Sequence, residues 1–245
     1  MMVNATMENL SKLRMFGMIR ALEEQAKLPE HSALGFEQRL AMIVDREVME
    51  RDDRRYKRKM TEAKLKEPTA MIEDIDWRNQ RGLDKSVMMT LANCDWIREK
   101  QHIVFVGPTG TGKTWLSCAL ANQACIRGYS PHFVRVPRLF NALASAKADG
   151  SFPKLMNSYA KFELLILDDW GQPLTESQRR DLLEIIDDKN GSGSLIITTQ
   201  LPVKHWHEVI GDPTLADAIL DRIIHRAHTI DLSGDSLRDP KKKKK

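Results

Sequence analysis

Hydrophobic side chains near the start of the chain recur at the spacing of a helix. Leu10, Leu13, Gly17 and Ala21 follow one another at intervals of three or four residues, which places them on one face of an α-helix. Pro29 interrupts the pattern, because proline lacks a backbone N–H and clashes with the preceding turn. The first stretch therefore predicts helix that is broken near residue 29.

A second helical pattern follows and becomes strongly charged towards its end. Its apolar face consists of Phe36, Leu40, Ile43, Val44 and Val48. Pro68 is predicted to end this helix, since the residue before a proline disfavours helical geometry. The two patterns together predict a small helical N-terminal domain over residues 1–68. Short pieces rich in acidic and aromatic residues then predict a linker region over residues 69–100.

Short apolar runs alternate with helical patterns from about residue 101 onward. Strands are predicted at residues 102–106, 133–136, 164–167, 194–198 and 229–232. Helices are predicted at residues 113–127, after a capping box formed by Thr175 and Gln178, and at residues 214–226. This alternation indicates an α/β fold whose parallel sheet is covered on both faces. Residues 101–238 are assigned to this domain and residues 239–245 to a lysine-rich tail.

The charge of the chain is concentrated in two places. The formal net charge is +4, and the five lysines at 241–245 contribute +5, so the rest of the chain sums to −1 (4 − 5). Binding to nucleic acid must therefore come from local patches. Residues 51–66 carry eight Lys or Arg against three acids. Candidate phosphate contacts in this stretch are Arg51, Arg54, Arg55, Lys57, Arg58 and Lys59; the alternative is a solvated helix face that balances nearby acids.

Composition and cysteine usage indicate a cytoplasmic protein. Hydrophobic residues make up 42% of the chain and charged residues 29%, as in ordinary soluble α/β proteins. Cys94, Cys118 and Cys125 show no metal-ligand spacing, and a sparse, odd count is typical of a reducing compartment. No apolar run approaches the roughly 20 residues needed to span a bilayer. Residues 1–10 lack the pattern of a secretory signal.

The strongest chemical signal is a glycine-rich loop between the first predicted strand and the helix that follows it. The loop matches G-x-x-x-x-G-K-[ST], the phosphate-binding pattern whose backbone N–H groups surround phosphate oxygens. Lys113 is expected to reach the β- and γ-phosphates of ATP, and the Thr114 hydroxyl to bind Mg²⁺. The candidate nucleotide-binding residues are Gly107, Pro108, Thr109, Gly110, Thr111, Gly112, Lys113, Thr114 and Trp115.

Two acids follow the buried strand predicted at residues 164–167. Ligands of α/β sheets lie at the carboxyl ends of the strands, so Asp168 is expected to hold Mg²⁺ and Asp169 to orient or deprotonate the attacking water. The alternative is an acidic pair that caps a strand end. Thr199, at the end of the next predicted strand, is a candidate contact to the γ-phosphate, although threonine is common at strand ends.

Arginines near the end of the chain are candidates for completing a neighbour's site. Arg222 lies on the helix predicted at residues 214–226, and an arginine supplied in trans neutralises transition-state charge in several NTPases. A surface ion pair between Asp221 and Arg222 is the alternative. Arg238 is a further candidate, as a phosphate sensor within the same chain.

Four segments of this sequence resemble one family of proteins. They are GPTGTGKT, LLILDDWG, ITTQLPVKHW and DRIIHRAHTIDLSGDSLR. Together with LANCDWI and the charged N-terminal helix, they resemble the IstB/DnaC-like branch of AAA+ ATPases, and most closely the IstB helpers of insertion-sequence transposition. The resemblance extends from about residue 10 to residue 238.

This resemblance implies a P-loop core with a five-stranded parallel sheet in AAA+ order. It also implies assembly on duplex DNA as a homo-oligomer, with ATP sites between subunits and a transposase as partner. A helical insertion after the second strand is typical of initiator-type members, and residues 137–159 fit that place. Arg138, Lys147 and Lys154 of this insertion are candidate DNA contacts, or else solvated helix residues.

One departure from the family pattern and two other functions remain open. Most AAA+ proteins have glutamate where this chain has Asp169; the shorter carboxylate predicts slow intrinsic hydrolysis. A DnaC-type replicative helicase loader is the first alternative function, and it would prefer single-stranded DNA. A small-molecule kinase is the second, and the long basic helix argues against it.

Overall fold

The computed structural model of the chain describes residues 2–28, 30, 33–77 and 81–237. It divides into two compact units between Arg58 and Lys59. The domain boundary expected at residue 68 therefore lies ten residues further along the chain than the division in the structure. Arg238 and the lysine-rich tail lie outside the described residues.

The first unit is helical. It contains α1 (Met2–Lys12), α2 (Phe16–Lys27) and most of α3 (Phe36–Ala63). Helix α3 ends before the expected stop at Pro68, because Lys64 already adopts a left-handed backbone with φ of 51°. Much of the predicted apolar face of α3 is exposed, with Phe36 77% accessible.

A buried carboxylate of α3 caps the start of α2. Oε2 of Glu47 accepts hydrogen bonds from the backbone N–H groups of Gly17 at 2.7 Å and Met18 at 3.2 Å. These are among the first N–H groups of a helix, which have no partner within the helix itself. A Cβ at position 17 would lie 2.7 Å from the Cα of Glu47, so glycine allows the two helices to approach.

The second unit contains a five-stranded, fully parallel sheet. Its strands are β1 (His102–Val106), β2 (Pro131–Arg135), β3 (Leu164–Trp170), β4 (Ser194–Thr199) and β5 (Ala227–Asp231), in the order β2-β3-β4-β1-β5. The predicted α/β class and five-stranded parallel sheet are confirmed. Strands β1 and β4 are buried along their whole length, as expected for a parallel sheet covered on both faces.

Helices cover both faces of this sheet. They are α4 (Lys85–Ala92), α5 (Asp95–Arg98), α6 (Lys113–Ile126), α7 (Val136–Asp149), α8 (Phe152–Ala160), α9 (Glu176–Lys189), α10 (Trp206–Ile210) and α11 (Pro213–Ile224). The predicted capping box is present at the start of α9. Helices α7 and α8 lie between β2 and β3, in the place where residues 137–159 are expected to form a helical insertion.

Residues of the predicted linker region contribute to the core of the second unit. Ala70, Ile72, Met88, Trp96 and Ile97 are buried in one hydrophobic cluster with β1 and α6. The segment is therefore packed into the same core as β1 and α6, and its helical turns contact α6. Among the described residues, no helix combines the length and hydropathy needed to cross a bilayer.

Candidate nucleotide-binding site

The glycine-rich loop connects β1 to α6, as the sequence predicts. Gly110 has a φ of 90°, a left-handed conformation that glycine adopts without steric cost. A Cβ at this position would overlap the side chain of Ser236. The loop therefore keeps its tight curve only with glycine, and its backbone turns into the first turn of α6 at Lys113.

The lysine of the loop lies over the loop's own backbone. Nζ of Lys113 donates hydrogen bonds to the carbonyl oxygens of Gly107 at 2.6 Å and Pro108 at 2.8 Å. Both contacts are short and charge-assisted. The ammonium is thus held inside the curve of the loop, where it can exchange these carbonyls for phosphate oxygens.

A hydroxyl and a carboxylate from different elements meet beside the loop. Oγ1 of Thr114, at the start of α6, donates to Oδ1 of Asp168, on β3, at 2.7 Å. Oγ1 of Thr198, on β4, donates to the same oxygen at 2.8 Å. Asp168 is 2% exposed. Hard oxygen donors of this kind suit Mg²⁺, so Thr114 and Asp168 are the side chains that could hold the ion.

Asp169 takes a different direction from Asp168. Its φ of 67° is left-handed, and the register between β3 and β4 shifts between Leu167 and Trp170. The backbone N–H of Asp169 donates to Oγ1 of Thr198 at 3.0 Å. This local kink turns the Asp169 carboxylate away from Asp168, so that two adjacent acids occupy different positions in the site.

Arg135 is a site residue that the sequence analysis missed. It ends β2, and its Nη2 donates to Oδ2 of Asp169 at 2.5 Å, while its Nε lies 3.9 Å from Oδ2 of Asp168. The arginine thus forms its close ion pair with Asp169 and a more distant charge contact with Asp168. Its place at the end of the strand predicted at residues 133–136 could have revealed it, because the carboxyl ends of parallel strands share one edge of the sheet.

These residues line one cleft with a volume of about 880 Å³. The cleft is lined by Lys66, Glu67, Thr109, Gly110, Gly112, Lys113, Thr114, Trp115, Arg135, Asp168, Asp169, Thr198, Thr199, Gln200 and Leu237. The structure therefore brings together most of the predicted loop residues, both acids and Thr199. The Thr199 hydroxyl, however, accepts a hydrogen bond from the backbone N–H of Leu201 at 2.9 Å, and it is Thr198 that contacts Asp168.

Arg222 lies elsewhere on the same unit. It is on α11, where its Nε forms an ion pair with Asp187 of α9 and its Nη1 donates to the carbonyl of Ala218 at 2.9 Å. The partner of Asp221 is His225, at 3.2 Å, instead of Arg222. Among the described residues, those that line the cleft do not include Arg222.

The candidate DNA-binding residues differ in how far their charge is already paired. Carboxylates lie within 4 Å of four of them, which are Arg51, Arg54, Arg55 and Lys57. Arg58, Arg138 and Lys154 are exposed, and Lys59 is half-buried. Nζ of Lys147 donates to Asp181 at 2.5 Å and to Ser177 at 2.9 Å. The expectation that Lys147 faces DNA is therefore weakened, because its ammonium is held by α9.

Comparison with known proteins adds to this geometry. Residues 8–245 match the model of a protein family described as IstB-like ATP binding protein. The insertion sequence ATP-binding protein y4pL of Sinorhizobium fredii is 45% identical over 245 residues, which is the full length of both chains. The insertion sequence IS1162 ATP-binding protein of Pseudomonas fluorescens is 50% identical over 203 residues, or 82% of this chain and 88% of that protein.

Solved structures resemble about two thirds of this chain in fold. The crystal structure of DnaI has a TM-score of 0.58 at 23% identity and covers 67% of this chain and 91% of that chain. The crystal structure of the DnaC helicase loader has a TM-score of 0.56 at 19% identity. The match covers 66% of this chain and 96% of that chain. At these identities the likeness concerns the fold alone.

Proposed function

The chain belongs to the family of IstB-like ATP binding proteins, and on that premise we propose that it is a DNA-dependent ATPase that regulates transposition. In this proposal it acts in the cytoplasm, assembles on target duplex DNA as a homo-oligomer, remodels that DNA and recruits a transposase. Support comes from relatives that are named insertion sequence ATP-binding proteins. The basic face of α3 supplies charge for contact with DNA.

The contact between Thr114 and Asp168 carries the proposal that the cleft takes ATP with Mg²⁺. A hydroxyl oxygen and a buried carboxylate oxygen 2.7 Å apart form two adjacent corners of a site for a small, hard cation. Bound Mg²⁺ would supply positive charge to the β- and γ-phosphates. Lys113 and the backbone N–H groups of the loop would hold the same phosphates.

Asp169 is the proposed acceptor for the proton of the attacking water. Its carboxylate lies in the cleft but is ion-paired with Arg135. The guanidinium occupies Oδ2 of this carboxylate, so that oxygen is already engaged and does not orient the attacking water until the pair opens. We therefore expect slow hydrolysis in the isolated chain and faster hydrolysis when DNA or the transposase changes this pair.

Arg222 is the residue that we propose enters the ATP site of a neighbouring subunit. Its side chain is 30% exposed, so it can leave Asp187 for a phosphate oxygen. An arginine supplied in trans stabilises the charge that develops on the transferring phosphoryl group. Hydrolysis then depends on assembly, and ATP serves as a signal of assembly on DNA.

The decisive experiment measures the ATPase rate and the particle size with and without duplex DNA. We expect both to rise when duplex DNA is added. A particle that stays monomeric and hydrolyses ATP at a DNA-independent rate contradicts the proposal. A preference for single-stranded DNA indicates a helicase-loader function instead, and ATP consumption driven by a small acceptor indicates a kinase.

A salt titration tests how the protein contacts DNA. If the α3 face neutralises phosphates, the logarithm of the affinity falls linearly with the logarithm of the salt concentration, with a slope of about −0.9 per phosphate. Replacing the exposed Arg58 by Gln should reduce the slope by about 1. Lys12→Gln, in α1, serves as the matched control for lost charge outside the patch.

A further inference from the structure

Arg81 lies against the outer side of the phosphate-binding loop. Its side chain comes from the segment before α4 and is 7% exposed. Nη1 donates to the carbonyl oxygen of Thr111 at 3.5 Å, and it packs against Gly112, where a Cβ would lie 2.9 Å from it. Among the described residues, no hydrogen-bond partner is present for the buried Nε.

A guanidinium in this position is costly for the folded protein. Burial lowers the pKa of Arg81, and the charge of Asp76 only partly opposes this effect. A buried cation without full pairing destabilises a fold unless something else compensates. The side chain therefore needs an explanation other than packing.

The peptide unit that Arg81 contacts also contributes to the inner side of the loop. The carbonyl of Thr111 and the N–H of Gly112 belong to one planar, trans peptide unit, so they point in opposite directions. A donor that fixes the carbonyl on the outside aims the N–H at the inside, where phosphate binds. Hydrogen bonding of the carbonyl to a cation also polarises the peptide and strengthens its N–H as a donor.

The preceding peptide unit is held in the same way. The backbone N–H of Leu237 donates to the carbonyl of Gly110 at 2.9 Å, and the backbone N–H of Ser233 donates to the carbonyl of Arg81 itself at 2.9 Å. Two successive carbonyls of the loop are thus fixed by donors from outside the loop. The Arg81 segment is fixed in turn by Ser233, which follows β5.

We propose that Arg81 is a positioning residue for nucleotide binding, which orients and polarises the peptide between Thr111 and Gly112 so that its N–H meets a phosphate oxygen of ATP or ADP. The proposal rests on the proposed ATP site and deepens it. Arg81 touches no phosphate in this account, and its charge acts through the peptide and across the loop.

This role predicts opposite effects on stability and on binding. Replacing a buried, incompletely paired charge by an apolar side chain of similar length is often neutral or stabilising. Arg81→Met should therefore keep or raise the unfolding temperature of the second unit while it weakens nucleotide binding. If Arg81 had a purely structural role, its replacement would lower the unfolding temperature and the affinity for nucleotide together.

The experiment compares the wild-type full chain with Arg81→Met, Arg81→Gln and Arg81→Lys by calorimetric titration with ATP and ADP in the presence of Mg²⁺. We expect at least about a tenfold loss of affinity for Arg81→Met, since the N–H of Gly112 loses its orientation towards a charged phosphate oxygen and a hydrogen bond to a charged group contributes at this level. Arg81→Lys keeps the positive charge and should therefore retain part of the affinity that Arg81→Met loses. Arg98→Met, at an exposed arginine of α5, is the control for a lost charge.

The outcomes separate this proposal from the proposed function. If the wild-type chain does not bind ATP, the proposed function fails. If the wild-type chain binds ATP and a folded Arg81→Met variant binds it within about twofold, the role of Arg81 is overturned. Should Arg81→Met not fold, Arg81→Gln decides by the same criterion, and a Gln variant that also fails to fold assigns Arg81 to folding and overturns the proposal.

Discussion

Nη2 of Arg135 lies 2.5 Å from Oδ2 of Asp169. The two residues come from adjacent strands and are 34 positions apart in the chain. The arginine ends β2, and the acid sits where β3 kinks and exposes its carboxylate to the cleft. The contact links Asp169, the proposed general base, to β2. This strand leads directly into α7, the first of the two helices between β2 and β3.

Replacing Arg135 by Gln should raise the ATPase rate measured without DNA and reduce the stimulation by DNA. Removal of the guanidinium frees the Asp169 carboxylate to accept a proton from water. Steady-state ATPase assays with and without duplex DNA measure both quantities. Arg135→Lys keeps a charge near Asp169 and serves as the control. A lower basal rate in Arg135→Gln, with ATP binding intact, would show that Arg135 promotes hydrolysis instead.

Removal of either oxygen at the proposed magnesium site should abolish Mg²⁺-dependent hydrolysis. Thr114→Ala removes the hydroxyl oxygen, and Asp168→Asn replaces the charged carboxylate 2.7 Å from it by a neutral amide. We expect affinity for ATP in the presence of Mg²⁺ to fall by at least about tenfold, with a smaller change in EDTA. Thr114→Ser retains the hydroxyl and should behave like the wild-type chain. If the affinity for ATP falls equally with Mg²⁺ and in EDTA, these side chains do not form a magnesium site.

Arg222→Ala should spare ATP binding and remove the hydrolysis that depends on assembly. Arginines supplied in trans contribute on the order of 10³-fold or more to the rate in related phosphoryl transfers. Asp187→Asn is a matched control, since it breaks the ion pair of Arg222 within the chain but leaves the arginine in place. A mixture of Arg222→Ala with an Asp168→Asn variant tests the role in trans. No recovery of activity in that mixture would contradict it.

His102 should make the second unit sensitive to acid. Its side chain is 2% exposed, and its Nδ1 accepts a hydrogen bond from the backbone N–H of Leu195 at 3.1 Å. Burial lowers the pKa of His102 to about 4, so the unfolded chain takes up a proton first. The contribution to stability is present above about pH 6.5 and is lost as pH falls towards about 4, on the order of 3 kcal/mol in all.

Urea unfolding at pH 7.5 and pH 5 measures this effect. All five tryptophans, at positions 77, 96, 115, 170 and 206, lie in the second unit, so their fluorescence reports on that unit. His102→Gln should reduce the difference between the two pH values, whereas His225→Gln, at an exposed histidine, should not. Burial also lowers the pKa of His132, and for that reason part of the difference should remain.

Glu47→Ala should destabilise α2 by about 1–3 kcal/mol, because two backbone N–H groups lose their acceptor. Burial raises the pKa of Glu47, but hydrogen bonds from Arg51 and from the backbone of Met18 and Gly17 lower it more. The stabilisation is therefore present above the pKa of the unfolded chain and is lost as pH falls below it. Hydrogen exchange of residues 16–27 measures it. Glu37→Gln, at an exposed position in the first turn of α3, is the control.

The sequence by itself determined the features that depend on neighbouring residues. The first strand was predicted at residues 102–106 and is observed as His102–Val106, and the capping box of α9 is present. The phosphate-loop pattern and the acids that follow the third predicted strand could be predicted for the same reason. Strand periodicity, helix caps and phosphate loops each depend on residues that are close together in the sequence. The resemblance to a family supplied the five parallel strands.

Only the tertiary structure decided which residues from distant parts of the chain meet. Arg135 reaches Asp169 and Arg81 reaches Thr111 because β2 pairs with β3 and the segment after residue 69 packs on the sheet. No local pattern encodes these contacts: they depend on hydrogen bonds between strands and on burial of apolar surface between segments far apart in sequence. For the same reason the predicted linker region became part of the core, and Lys147 became a partner of Asp181.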